Sequence, residues 1–292
     1  MRSQSSPQHA TQQHFSQQYT PEQYSAQQHA QQQHSTHQHA PKQHSPLFAG
    51  IATILWQEYR VFTRRFWRNT ASTMVTPLLY LFAFGFGLGR GLRFEGASYL
   101  EFVIPGIVAL TTMTSSFNAV ATPLNISRLY DKTFEEYLTA PIPMAAITIG
   151  RILAGALRGL FSGFVMLTLS LAFGVGLHLD GRFLLLLFLN CFVFAGFGFW
   201  AALTIQSHSD INKFNAFVIS PMSFLCGTFF SLQNIPPLLS AFLHLLPLTH
   251  TTQGLRSLAL TGTMPWESLA ALVIYATVFF ILGLRACYLV EE

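Results

Sequence analysis

Outside its first 46 residues the chain carries four histidines, His178, His208, His244 and His250, and three cysteines, Cys191, Cys226 and Cys287. A metal centre needs several such ligands at close spacing, usually with a carboxylate nearby. No pair here has that arrangement. His244 and His250 are six apart, which puts them on different faces of a single helix, so a capping or hydrogen-bonding role is expected for His250. Each cysteine falls inside an apolar stretch and reads as a small core residue. Gly85, Gly87, Gly89 and Gly91 alternate around Phe86, Leu88 and Arg90 and evoke a phosphate-binding glycine loop, but no strand precedes them and no polar helix follows. They are expected to help a span pack closely or end at a surface. The sequence GxxxxGK[ST] does not occur, so this chain is not expected to bind ATP by a Walker mechanism. Neither catalytic nor metal-binding residues are predicted.

One segment does combine charge with apolar surface. Residues 128–143 read Arg128-Leu129-Tyr130-Asp131-Lys132-Thr133-Phe134-Glu135-Glu136-Tyr137-Leu138-Thr139-Ala140-Pro141-Ile142-Pro143. This predicts a short amphipathic helix with acids at its middle, stopped by the proline pair. Leu129, Phe134, Tyr137 and Leu138 beside those charges suit docking to a soluble partner. A helix lying on lipid headgroups is the alternative.

The elements that position this segment follow from where charge is missing. From Asn69 onward the uncharged stretches are 69–89, 102–127, 159–179, 183–209, 214–255 and 268–284. A bilayer core of roughly 30 Å needs about 20 apolar residues per helix, so five stretches suit one span each and the fifth is too long for one. Their Phe- and Leu-rich runs lack the alternation of a barrel, and only helices or barrels satisfy their backbone in lipid. An all-α integral membrane fold is predicted, with six spans at roughly 70–90, 102–127, 158–178, 183–206, 214–232 and 267–287. The composition agrees, at 51% hydrophobic and 10% charged residues. The net charge of +4 is spread over loops that flank spans, and no nucleic-acid partner is expected.

Residues 1–46 form a separate domain. Gln8, Gln13, Gln18, Gln23, Gln28, Gln33, Gln38 and Gln43 are each followed by His or Tyr. A period of five builds no apolar helix or strand face, and with Leu, Ile and Val absent, disorder is expected. Weak metal binding by its histidines is chemically possible, but a tolerated spacer is the simpler reading. No signal peptide is visible, so the first span is expected to direct its own insertion.

The domain at 47–292 opens with an interfacial helix at 47–68. Ile51, Leu55, Tyr59, Phe62 and Phe66 make an apolar stripe, and Gln57, Arg60, Arg64 and Arg68 an opposing one that would face anionic lipid. With the amino terminus inside, Arg60, Arg64, Arg65, Arg68, Arg128, Lys132, Arg151, Arg158, Lys213 and Arg285 fall inside. Arg90, Arg93, Arg182 and Arg256 fall outside. That bias predicts both termini in the cytoplasm. In the longest stretch an apolar run carries Pro221 and Gly227, the segment Gln233–Pro237 with Pro236 breaks any helix, and the short helix that follows is interrupted at Pro247 and the polar run Thr249–Gln253. A re-entrant outer hairpin at about 231–262, before the last span, is expected. No Asp or Glu lies within the uncharged stretches, so an ion-coupled carboxylate site is not expected.

These segments together resemble the type-2 ABC export permeases. The run E-E-Y-L-T-A-P-I-P at 135–143 looks like that family's coupling segment. S-P-M-S-F-L-C-G-T-F-F-S-L-Q-N-I-P-P from Ser220 is similar to its fifth-span pattern. H-L-L-P-L-T-H-T-T-Q-G-L-R at 244–256 resembles the segment before its last span, and S-Y-L-E-F-V-I-P-G at 98–106 its second-span opening. The likeness covers about 47–292 in order, nearest the small six-span permeases that include nodulation lipo-oligosaccharide and drug exporters. It implies a homodimeric inner-membrane permease that moves an amphiphilic, glycan or drug-like substrate out of the cytoplasm. A separate ABC ATPase subunit would hold the ATP and magnesium, with no cofactor on this chain. By the same resemblance Arg128, Glu135, Glu136, Tyr137, Leu138 and Pro141 are expected at the ATPase contact. Pro221, Gly227, Pro236 and Pro247 would shape the fifth span and outer loop. The competing readings are a membrane-embedded lipid-modifying enzyme using His244 and His250, and a permease-like sensor or scaffold that does not transport.

Overall fold

The computed structural model describes residues 47–64, 66, 75–76, 78–83, 93–94, 97–175, 179–232 and 235–291. The repeat tail at 1–46, the glycine alternation at 85–91, His178, Asn234 and most of the first span lie outside the described residues. In order, the elements are α1 (Leu47–Arg64), a two-residue antiparallel pairing of β1 (Arg93–Phe94) with β2 (Ala97–Ser98), α2 (Tyr99–Leu129) and α3 (Thr133–Thr139). There follow α4 (Met144–Ala172), α5 (Gly181–Thr204), α6 (His208–Phe214), a π-helical turn at Asn215–Ile219 and α7 (Ser220–Leu225). The chain closes with α8 (Pro237–His244), α9 (Pro247–Thr261) and α10 (Trp266–Glu291).

Among the described residues, four helices are long and apolar enough to cross a membrane: α2, α4, α5 and α10. Burial ranks them. Of the most apolar stretch of α2, 78% is buried, against 17% for α10, so α2 is the central helix and α10 a peripheral one. Helices α4, α5 and α9 pack around α2. The start of α2 is fixed by Glu101, whose carboxylate accepts the Ser98 N–H at 2.8 Å and satisfies one donor of the first turn. Near that end the chain after α7 crosses closely. A Cβ on Gly106 would stand 2.7 Å from the Thr228 carbonyl oxygen, so only glycine fits.

Three expectations need correction. The helix expected at 158–178 begins at Met144. Arg151 and Arg158 therefore sit on the helix instead of in a loop, where both pair with the one carboxylate of Glu58 of α1. The fifth apolar segment, expected at 214–232, is helical only to Leu225. Pro221 lacks an N–H and its ring crowds the carbonyl four residues back, and the turn just before it widens into the π-helix at Asn215–Ile219. The helix then stops at Gly227, whose φ is +73°. In α1 the inward face is centred on Gly50 and Ile54, with Ile51, Leu55, Glu58 and Phe62 half-buried. Tyr59, assigned above to the apolar stripe, is 57% exposed. A carboxylate with two arginine partners holds that side of the helix inward.

Candidate functional site

The charge-free stretch of α2 contains a polar stripe. Thr111, Thr114, Ser115, Asn118 and Thr122 recur at helical spacing, so they share one face. They line a cavity of about 720 Å³. Its other walls come from α1 (Phe62), the first apolar segment (Thr76, Tyr80), α4 (Arg158, Phe161, Ser162) and the α6–α7 helix (Asn212, Asn215, Ser220, Ser223, Phe224). Polar groups cross-link these walls. The Ser115 hydroxyl donates to Ser162 at 2.9 Å, and Asn215 Nδ2 donates to Asn118 Oδ1 at 2.7 Å. Thr114 donates to the carbonyls of Leu110 and Thr111 on its own helix. Apart from Arg158, the lining is neutral, with hydroxyls and amides set among aromatic rings.

Beside the cavity the Glu58 carboxylate binds Arg151 on one oxygen and Arg158 on the other, the latter at 2.6 Å. The Arg158 guanidinium also lies 5.8 Å from the Phe62 ring centre. The short helix α3 reaches the same cluster. Its Phe134 is buried with Ile54, Met144 and Ile147, its Tyr137 hydroxyl donates to Gln57 Oε1 at 2.7 Å, and Arg151 stands 5.1 Å from the Tyr137 ring centre. Glu136 and Pro141 are exposed. Glu135 and Leu138 lie in α3, and their side chains are outside the described residues. Arg128 goes elsewhere. From the end of α2 it donates to the carbonyls of Ala202, Leu203 and Ile205 at the end of α5, where a cation satisfies otherwise orphaned acceptors.

At the opposite end of α2, Pro236 precedes α8, and Pro237 and Pro247 sit in the first turns of α8 and α9, where proline's missing N–H costs nothing. The polar run of α9 is buried in protein. Thr249 donates to the Leu243 carbonyl at 2.6 Å, Thr251 to Asn190 Oδ1 at 2.8 Å and Thr252 to the Cys226 carbonyl at 2.7 Å. Asn190 of α5 also donates to Thr112 Oγ1 at 3.0 Å, joining α2, α5 and α9. Arg256, counted above as an outer loop charge, is buried. It donates to the carbonyls of Phe102 at 3.0 Å and Gly227 at 2.8 Å, with its guanidinium 3.6 Å from the Phe102 ring centre.

The two histidines meet because a break separates their helices. His244 ends α8 and His250 lies in the first turns of α9, with ring centres 6.3 Å apart. His250 Nε2 donates to the His244 carbonyl at 2.8 Å, capping α8, and burial holds its imidazole below the ordinary value. His244 Nδ1 donates to the Ser240 carbonyl at 2.7 Å, and its Nε2 accepts from Gln253 at 3.3 Å. Among the described residues no cluster of three or more His, Cys, Asp and Glu side chains could hold a metal. The sequence reading missed Glu58, Asn190, Arg256 and the α2 stripe. The spacing of the stripe was visible in the sequence.

Four helices long and apolar enough to cross a membrane, two of them lining a polar cavity, define the class as a helical multi-span membrane protein. The chain belongs to the ABC-2 type transporter family, whose profile matches residues 49–260. It is 28% identical over 226 residues to the inner membrane transport permease YadH of Escherichia coli K12, covering 75% of this chain and 88% of that one. It is 28% identical over 243 residues to nodulation protein J of Rhizobium meliloti, covering 78% and 91%. Against nodulation protein J of Sinorhizobium fredii the identity is 26% over 241 residues. The protein is thus a membrane permease subunit of an ABC exporter, and its family implies an ABC ATPase subunit as partner.

Proposed function

We propose that residues 47–292 form one half of a homodimeric, ATP-driven exporter whose substrate, an amphiphilic, glycan-bearing or drug-like molecule, passes through the 720 Å³ cavity. The observation that carries this reading is the neutral polar stripe on α2, the most buried of the long helices. Hydroxyls and amides set in a cavity among aromatic rings accommodate a polar headgroup and an apolar tail together.

In this reading there are six spans: the segment near 70–90, α2, α4, α5, the α6–α7 helix and α10. Both termini are cytoplasmic, α1 lies along the inner surface with Arg60 and Arg64 toward anionic lipid, and α8 and α9 form a re-entrant outer hairpin. The tail at 1–46 is a spacer that transport does not need. Glu135, Glu136, Tyr137, Leu138 and Pro141 form the ATPase contact. Arg128 holds α2 to α5 behind it, which supports a positioning role in place of direct contact. Closure of the ATPase pair would push α3, and the push passes through Tyr137 to α1 and α4. The enzyme alternative is weakened, because both ring nitrogens of His244 and the Nε2 of His250 are engaged by neighbouring groups.

The test is accumulation of a fluorescent single-chain amphiphile in inside-out vesicles carrying the permease and its ATPase. ATP-dependent uptake is expected. Equal uptake without ATP, or without the ATPase subunit, would refute the reading.

A further inference from the structure

Two guanidiniums share one carboxylate at the edge of the cavity. Glu58, Arg151 and Arg158 have side chains 14%, 13% and 19% exposed, so the group is largely withdrawn from water. Holding α1 on α4 needs one arginine. The second leaves a positive charge that no acid among the cavity-lining residues balances, and charge left uncompensated away from water is costly. Arg158 places Nη2 on Glu58, on the carboxylate at 2.6 Å and the backbone carbonyl at 3.4 Å. Its Nε and Nη1 make no hydrogen bond among the described residues. Arg151 Nε is buried and likewise without a hydrogen-bond partner. Arg158, which lines the cavity where Arg151 does not, thus brings unused donors and positive charge to a wall whose other residues are neutral. Phe62 and Phe161 pack edge-to-face beside this site at 5.4 Å, an apolar surface next to the cation.

We infer that the cavity takes an amphiphile with an anionic headgroup, a phosphate, sulfate or carboxylate, held by the Nη1 donors of Arg158 while its apolar part lies against Phe62 and Phe161. This rests on the reading of the cavity as the substrate path. The charged Nη1 donors give short, charge-assisted hydrogen bonds to an oxygen of such a headgroup, and the hydroxyls of Ser115 and Ser162 serve the rest of a polar head. Glu58 tunes the site by cancelling one of the two positive charges.

The experiment measures ATPase stimulation of the complete permease–ATPase complex in phosphatidylcholine vesicles. The probes are dodecyl phosphate and dodecyl glucoside, which share a tail. The wild type should half-saturate with the phosphate at about ten-fold lower concentration, the scale of one charge-assisted contact. Arg158→Gln should abolish that preference, Arg158→Lys should keep part of it, and Glu58→Gln should increase it. A purely structural ion pair predicts no gain in Glu58→Gln. Repeating the titration with phosphatidylglycerol in the vesicles identifies the source of the anion. Competition by the lipid marks a bilayer headgroup, its absence a separate substrate, and either supports the anion site. Equal half-saturation by the two probes, no response to the phosphate, or a preference that survives in Arg158→Gln overturns the inference. Ser115→Trp, which fills the cavity, separates the two claims. If it leaves stimulation by both probes unchanged, the cavity reading itself fails. If it abolishes both while the wild type shows no charge preference, only the anion inference fails.

Discussion

Tyr137 of α3 donates its hydroxyl to Gln57 of α1 at 2.7 Å while Arg151 of α4 stands over its ring. One side chain of a seven-residue helix therefore touches two other elements, and Arg151 continues the contact to Glu58 and Arg158 at the cavity. Tyr137→Phe keeps the ring and removes the hydrogen bond, a loss of about 1 kcal/mol. ATP hydrolysis should persist while substrate moved per ATP falls several-fold, measured as both rates on one vesicle preparation. An unchanged ratio would take this contact out of the coupling.

The acids of α3 give a second prediction. Glu135→Lys combined with Glu136→Lys reverses the charge of the proposed contact while leaving the buried Phe134 in place. Co-purification of the ATPase should drop, or hydrolysis should continue without transport. Full recovery of the partner together with full transport would remove α3 from the ATPase contact.

Gly227 ends the α6–α7 helix with φ at +73°, and its carbonyl receives Arg256. An added Cβ would lie 3.1 Å from the Leu232 side chain, and the left-handed conformation costs a non-glycine residue about 1–2 kcal/mol. Gly227→Ala should lower the thermal unfolding midpoint in detergent by several degrees. An unchanged midpoint would mean the turn is not held as described.

Asn190 ties three helices through Thr112 and Thr251. Asn190→Leu deletes both of these and the hydrogen bond to the Ala109 carbonyl at 3.3 Å, three contacts in all. Interhelical hydrogen bonds in membrane proteins average about 0.6 kcal/mol each, so the loss should be about 2 kcal/mol, read from unfolding in mixed micelles. A cost below a few tenths would show that these hydrogen bonds do not hold the three helices together.

Legibility in the sequence followed how local each cause was. The spans α2, α5 and α10 could be read because absence of charge over about 20 residues is a property of the segment itself. The breaks at Pro236 and Pro247 were legible for the same reason, whereas the early stop at Leu225 was not. The start of α4 was not, because Arg151 and Arg158 look like loop charges until Glu58, nearly a hundred residues earlier (|i−j| of 93 and 100), is brought against them. Arg256 was misread in the same way, since its acceptors are backbone carbonyls that carry no sequence signal. His244 and His250 were assigned to different helical faces from their spacing of six, a rule that does not hold across the break before Pro247, which brings them together. The stripe from Thr111 to Thr122 was readable by periodicity, but it lay in a stretch noticed only for lacking charge.

The central claim, that substrate passes through the cavity along α2, is tested most directly by reversible obstruction of one residue. In a background without Cys191, Cys226 and Cys287, Ser115→Cys places a thiol at the cavity wall. ATP-dependent uptake into inside-out vesicles is then measured before labelling with a bulky thiosulfonate reagent, after labelling, and after reduction. The account predicts that labelling stops uptake without releasing the ATPase and that reduction restores it. Uptake by the fully labelled protein at the unlabelled rate would contradict the account.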